Sequence, residues 1–142
     1  MSHIDLTVVW ACIIAFAIAA YVVMDGFDLG IGILYSRFVV GRERDTAMNS
    51  IAPVWDGNET WLVLGGGGLM AAFPLAYAVI LPALYAPLIA MLLGLVLRGV
   101  AFEYRGKVDS PTWRKRWDLA IAFGSWVPAV LWGVAFANIV AG

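Results

Sequence analysis

Four long apolar runs organise the chain, at roughly 6–24, 61–82, 83–102 and 119–141, and polar residues gather between them. Each is about as long as a helix must be to cross a hydrocarbon core of ~30 Å. None shows the alternation of apolar and polar positions that a membrane barrel needs. In lipid the backbone must satisfy its own hydrogen bonds, so the pattern predicts an all-α fold, an integral membrane four-helix bundle. One bundle over 1–142 is expected, with helices about 6–36, 50–80, 82–104 and 114–141. No internal repeat is evident. Ser50 is expected to cap the second helix with Pro53 in its first turn. Pro74, Pro82, Pro87 and Pro128 are expected at bends or helix starts.

Composition supports this reading. Of 142 residues, 63% are hydrophobic and 13% charged, and the mean hydropathy is +0.87. Soluble domains hold about 45–50% apolar and about 25% charged residues. The first run lacks the basic flank and small-residue cleavage site of a secretory signal, so it is expected to stay as a helix. Cys12 is the single cysteine, which builds neither a disulfide nor a zinc site, and it is expected to be a buried, inert thiol.

The net charge of −1 says little; its distribution says more. Lys and Arg gather in 37–59 and 105–116, and the ends of the chain have none. The positive-inside rule puts both basic loops in the cytoplasm and the N-terminus outside. Trp10, Trp55, Trp61, Trp113, Trp117 and Trp132 lie near the expected span ends. Interfacial belts would use them there, although tryptophans are also common core residues.

Several acids stand where lipid should be. Asp25 lies about 27 Å along the first helix from Thr7, near the inner edge of the hydrocarbon. Asp28 follows one turn later on the same face. A carboxylate at membrane depth costs about 2.5–3.5 kcal/mol on insertion scales and ordinarily faces a partner or water. Asp28 also reads as the solvated end of a long helix. Asp56, Asn58 and Glu59, with Trp55 beside them, mark the cytoplasmic mouth of the second helix. Acids in a first turn also favour the helix dipole, which is the plain structural reading of Asp56 and Glu59. Arg98 falls in the same inner layer. It either pairs with Asp25, Asp28 or Asp56, or snorkels to the cytoplasm. Gly26 and Gly30 form a GxxxG spacing, and Gly65, Gly66, Gly67 and Gly68 make a flat stripe for close helix contact.

Catalytic apparatus is missing. His3 is the single histidine, and it cannot make a convincing haem site with Cys12 and scattered methionines. No metal-ligand spacing, nucleotide loop or nucleophile–base pair appears, and no nucleic-acid partner is expected. From the residues alone the chain relays protons or ions, or it is a scaffold. An ion-coupled transporter bundle also places acids in membrane helices.

Five ordered blocks are more specific: DGFDLGIGIL at 25–34, NSIAPVWDGNETWL at 49–62, GGGLMAAFPLAYA at 66–78, RGVAFEYR at 98–105, and GSWVP with GVAFAN at 124–138. In order and spacing they resemble subunit II of the bacterial cytochrome bd quinol oxidases. That subunit has about twice as many spans, so the chain resembles its N-terminal half and is expected to be a fragment. The resemblance implies a complex that oxidises quinol, reduces oxygen to water and adds to the proton-motive force without a pump. It implies haems b and d in the partner subunit I and none bound by this chain. It also implies pairing with subunit I in a bacterial inner membrane, and in some members a structural quinone. The acid of the WDGN block, Asp56 here, would begin a cytoplasmic proton channel. Asp25 would be a secondary member or a structural partner of Arg98.

Overall fold

The computed structural model describes residues 5–141. Helix α1 spans Leu6–Leu34 and ends in a 3₁₀ turn, Tyr35–Arg37. Its N-cap is Asp5, whose carboxylate accepts from the Thr7 N–H at 2.9 Å. A short helix α2 follows over Arg42–Ile51, then α3 over Trp55–Ala72 and α4 over Pro74–Ala83. Helix α5 spans Tyr85–Tyr104 and α6 spans Pro111–Ala141. No strand occurs among the described residues. Three helices, α1 with its terminal turn, α5 and α6, are long and apolar enough to cross a membrane. The fold is an all-α membrane bundle.

The expected helix 50–80 is instead divided. Gly41 takes φ 101°, a left-handed value that glycine tolerates, and turns the chain into α2. Ser50 caps nothing; it sits inside α2, and its hydroxyl donates to the Ala47 carbonyl. The second apolar run is then split at Phe73, which leaves the helical region at φ −133°, ψ 62°. Pro74 is the reason: its ring disfavours helical geometry in the residue before it, while its fixed φ suits the first position of α4. The last helix starts at Pro111, about one turn earlier than expected.

Helix α1 packs on α3 and α6, and α6 packs on α5. Glycine sets the closest of these contacts. A β-carbon on Gly124 would lie 2.7 Å from the Gly94 carbonyl oxygen and 3.0 Å from the Arg98 nitrogen. Helices α5 and α6 therefore approach nearly backbone to backbone. On α3, Gly65 and Gly68 pack against Ile18 and Ile14 of α1. Gly66 and Gly67 do not share that contact, and neither do Gly26 and Gly30. Nothing lies within 4 Å of where their β-carbons would stand. The cause is angular: four consecutive residues spread over about 300° of the helix, so only the pair at i and i+3 faces one neighbour. Cys12 is exposed on the apolar outside of α1, contrary to the expected burial.

Two apolar clusters close the interior. Tyr35, Met48, Ala101 and Ile121 gather at the end carrying the basic loops. Leu29, Met91 and Leu95 gather deeper in the bundle. Beside them the buried surface is polar. Arg98 heads the fully buried side chains by volume, and Asp25, Asp28 and Ser125 are likewise sealed from solvent.

Candidate functional site

Asp25 and Asp28 point into the bundle from one face of α1, both fully buried. Arg98 reaches them from α5, and Gly124 lets the backbone of α6 close over its own. Arg98 Nη2 donates to Asp25 Oδ1 at 2.5 Å. The same nitrogen donates to Glu59 Oε1 of α3. One turn further along α1, toward the basic-loop end, Asp28 Oδ2 accepts from Asn58 Nδ2 at 2.8 Å. Arg98 does not snorkel; it is enclosed by three helices. Asp25 Oδ2, Asp28 Oδ1, Arg98 Nε and Arg98 Nη1 are buried without a protein hydrogen-bond partner.

Asp56 stands apart from this buried pair. It lies on α3 one turn before Glu59 and is exposed. With Trp55, Glu59 and Glu103 it lines a groove of about 590 Å³ between α3 and α5. Trp55 forms part of the wall. It meets Phe102 edge-on at 5.4 Å, and its ring lies where a β-carbon on Gly99 would be 3.0 Å away. The Arg98 guanidinium sits 5.8 Å from the Phe102 ring centre. Glu59 thus joins the exposed groove to the buried Arg98 and Asp25. The structure brings Asp25, Asp28, Asn58, Glu59 and Arg98 together and leaves Asp56 at the groove's open side.

A second charged cluster escaped the sequence reading. Asp118 of α6 accepts from Arg44 Nη1 at 2.8 Å and from Arg105 Nε at 2.6 Å. Arg105 Nη1 also donates to Asp45 at 2.7 Å. Both guanidinium groups lie 5.7 Å from the Tyr35 ring. Burial opposes the charge on Arg105, but its hydrogen bonds to Asp118 and Asp45 outweigh it and hold its pKa above the usual arginine value. The available signal was Asp118 itself, an acid at the start of a long apolar run and close behind a basic loop.

The fold and site define a multi-pass membrane protein with a buried ion network and, beside it, a largely apolar groove that carries Asp56, Glu59 and Glu103. Its sequence places it further. The profile of the family described as "Cytochrome bd terminal oxidase subunit II" matches residues 6–142, and the chain belongs to that family. It is 42% identical over 137 residues to a "Probable cytochrome oxidase subunit 2" of Haemophilus influenzae, covering 94% of this chain and 36% of the relative. It is 43% identical over 137 residues to "Cytochrome bd-I ubiquinol oxidase subunit 2" of Escherichia coli K12, with the same coverage. "Cytochrome bd ubiquinol oxidase subunit 2" of Bacillus subtilis is 42% identical over 135 residues, covering 94% of this chain and 40% of the relative. The chain spans little more than a third of the length of these relatives. Family and helices together make it a multi-pass inner-membrane protein.

The family implies haems in the complex, and the donor side chains among the described residues do not assemble a haem site. His3 lies outside the described residues. Among the described residues no three His, Cys, Asp or Glu gather to hold a metal. The buried methionines Met48 and Met91 are packed in apolar clusters.

Proposed function

We propose that this chain is part of a haem-free subunit of a quinol:oxygen oxidoreductase. It stabilises the haem-bearing subunit I and carries protons from the cytoplasmic side toward the site of oxygen reduction. The observation that carries this reading is the groove between α3 and α5. Asp56 stands at its open side, and Glu59 bonds inward to Arg98 and Asp25. Asp25 and Glu59 share one guanidinium, and Asp28 lies one turn away bonded to Asn58, so the cluster is short of positive charge. In a low-dielectric interior a proton is the smallest ion that corrects this. The four buried polar atoms without a protein partner support a hydrated path, since such groups ordinarily find water. The basic residues support the orientation: every Lys and Arg except Arg98 lies in 37–44 or 105–116, at one end of the bundle. That end is cytoplasmic.

Quinol supplies the electrons, and reducing oxygen to water consumes protons. This chain's contribution is to hold and hand on those protons and to exclude bulk water beyond the Arg98 layer. Asp56→Asn in the assembled complex should lower quinol-driven oxygen consumption severalfold, with haem absorption and subunit content unchanged. Wild-type turnover in that variant would remove Asp56 from the path.

A scaffold reading has one observation in its favour. Arg98 locked between Asp25 and Glu59 is also what a purely structural clamp would look like. On that reading Asp56→Asn is silent, and only variants that lose haem or partner lose activity. No observation favours a transporter.

A further inference from the structure

Beside the Asp118 cluster lies a second cavity, of about 510 Å³, which shares no lining residue with the proposed proton groove. Its charged lining is Arg44, Arg105, Arg114 and Lys115 against Asp109 and Asp118. The cations are of two kinds. Arg44 and Arg105 are committed, each bonded to Asp118 within 2.8 Å. Arg114 and Lys115 are not. Arg114 reaches Asp109 only at 3.3 Å and Asp45 only at 3.9 Å. Its Nε is buried with no hydrogen-bond partner. Lys115 is exposed and makes no ion pair among the described residues. The cavity thus carries surplus positive charge on two adjacent residues of the first turns of α6. Gly41 and Pro111 also line it, so the N-termini of α2 and α6 add their dipoles in the same sense.

The cavity's level in the bundle identifies the ligand chemistry. It opens where α1 and α5 end, at Arg37 and Tyr104, which is the head-group layer of a bilayer spanned by those helices. Val40 lines it and is 76% exposed, and Val39 beside it is 66% exposed. Apolar side chains at the rim of a cationic cavity suit a molecule with a phosphate at one end and hydrocarbon at the other. A free anion would gain nothing from them. Basic pockets between membrane helices at this level bind lipid head groups on the same physical grounds, and the volume is ordinary for a small-ligand site.

We propose that this cavity binds the phosphate of an anionic phospholipid, with Lys115 and Arg114 as its cationic contacts and Val40 against the glycerol or acyl region. The assembled complex is purified and placed in phosphatidylcholine nanodiscs containing a minor fraction of phosphatidylglycerol. Lipid retained after extraction is counted by native mass spectrometry. Lys115→Gln should reduce retained phosphatidylglycerol about fivefold, and Arg114→Gln with Lys115→Gln about twenty-five-fold, at roughly one surface charge's worth of binding each. Lys107→Gln removes a charge from the same loop, where Lys107 pairs with Glu103 away from the cavity, and should leave retention unchanged. Lys115 is exposed and unpaired, so its single variant folds even if the double variant does not. Equal retention in wild type and Lys115→Gln overturns the site. A second arm tests the source: inorganic phosphate is titrated and thermal stability followed. Stabilisation by phosphate as strong as by phosphatidylglycerol, and lost in Lys115→Gln, overturns the lipid assignment in favour of a free anion.

Discussion

Gly32 of α1 and Ser125 of α6 meet so closely that a β-carbon on Gly32 would stand 1.9 Å from the Ser125 hydroxyl oxygen and 2.6 Å from its β-carbon. Both residues are buried, and the hydroxyl is held in place by a 2.8 Å bond to the Ile121 carbonyl. Gly32→Ala should therefore separate α1 from α6 and cost about 1–3 kcal/mol. Thermal unfolding of the complex would read this as a lower midpoint. Gly32→Ala with Ser125→Gly should recover most of the loss, because the second change removes both clashing atoms. Gly26→Ala, with nothing within 4 Å, is the control. An unchanged midpoint for Gly32→Ala would contradict the contact.

Arg98 balances two carboxylates with no exposure of its own side chain. Arg98→Met leaves the buried Asp25 and the half-buried Glu59 uncompensated, at about 3–5 kcal/mol. Assembly with the partner subunit should fall accordingly, as blue-native electrophoresis would show. Adding Asp25→Asn and Glu59→Gln to Arg98→Met should restore assembly, since a neutral set requires no counter-charge. If the triple variant assembles no better than the single, Arg98 is needed for its shape and not for its charge.

Asn58 is the hydrogen-bond donor that the structure gives to Asp28. Asn58→Leu strands the carboxyl, a loss of about 1–3 kcal/mol for an unsatisfied buried group. Adding Asp28→Leu should recover part of it. A double-mutant cycle on thermal stability measures the coupling, and a value near zero would mean that the 2.8 Å bond contributes nothing.

Asp118 joins two arginines, whereas Asp45 is 42% exposed in its side chain. Asp118→Asn should destabilise the basic-loop end more than Asp45→Asn. Its effect should also persist at high salt, since screening acts weakly on buried pairs. The pH dependence has a definite sign. Arg105 is raised above its usual pKa, so its stabilisation is fully present below that value and is lost only when pH climbs past it. Unfolding midpoints should thus show no alkaline loss from this cluster up to about pH 10. A transition below that which disappears in Asp118→Asn would place a different group in control.

The sequence by itself determined the class of fold. Apolar runs of span length leave the backbone no option in lipid but helix, and nearly all Lys and Arg fall at one end of the bundle. Depth was also legible: helical rise alone put Asp25 and Arg98 in one layer, because distance along a helix is linear in residue number. Direction around the helix was only partly legible. Spacing put Asp25 and Asp28 on one face, but it could not say which of Asp56 and Glu59 on α3 would turn inward, and Glu59 does. It could not separate Gly65 and Gly68, which touch α1, from Gly66 and Gly67, which do not. Nor could it find the Arg44, Arg105, Asp118 and Asp45 cluster, whose members lie as far as 74 positions apart. Those pairings depend on which faces of α1, α5 and α6 meet, and that is settled by close contacts such as Gly32 with Ser125 and Gly124 with Gly94. Only the packed bundle decides them, because helix rotation is fixed by neighbours and not by the helix's own periodicity.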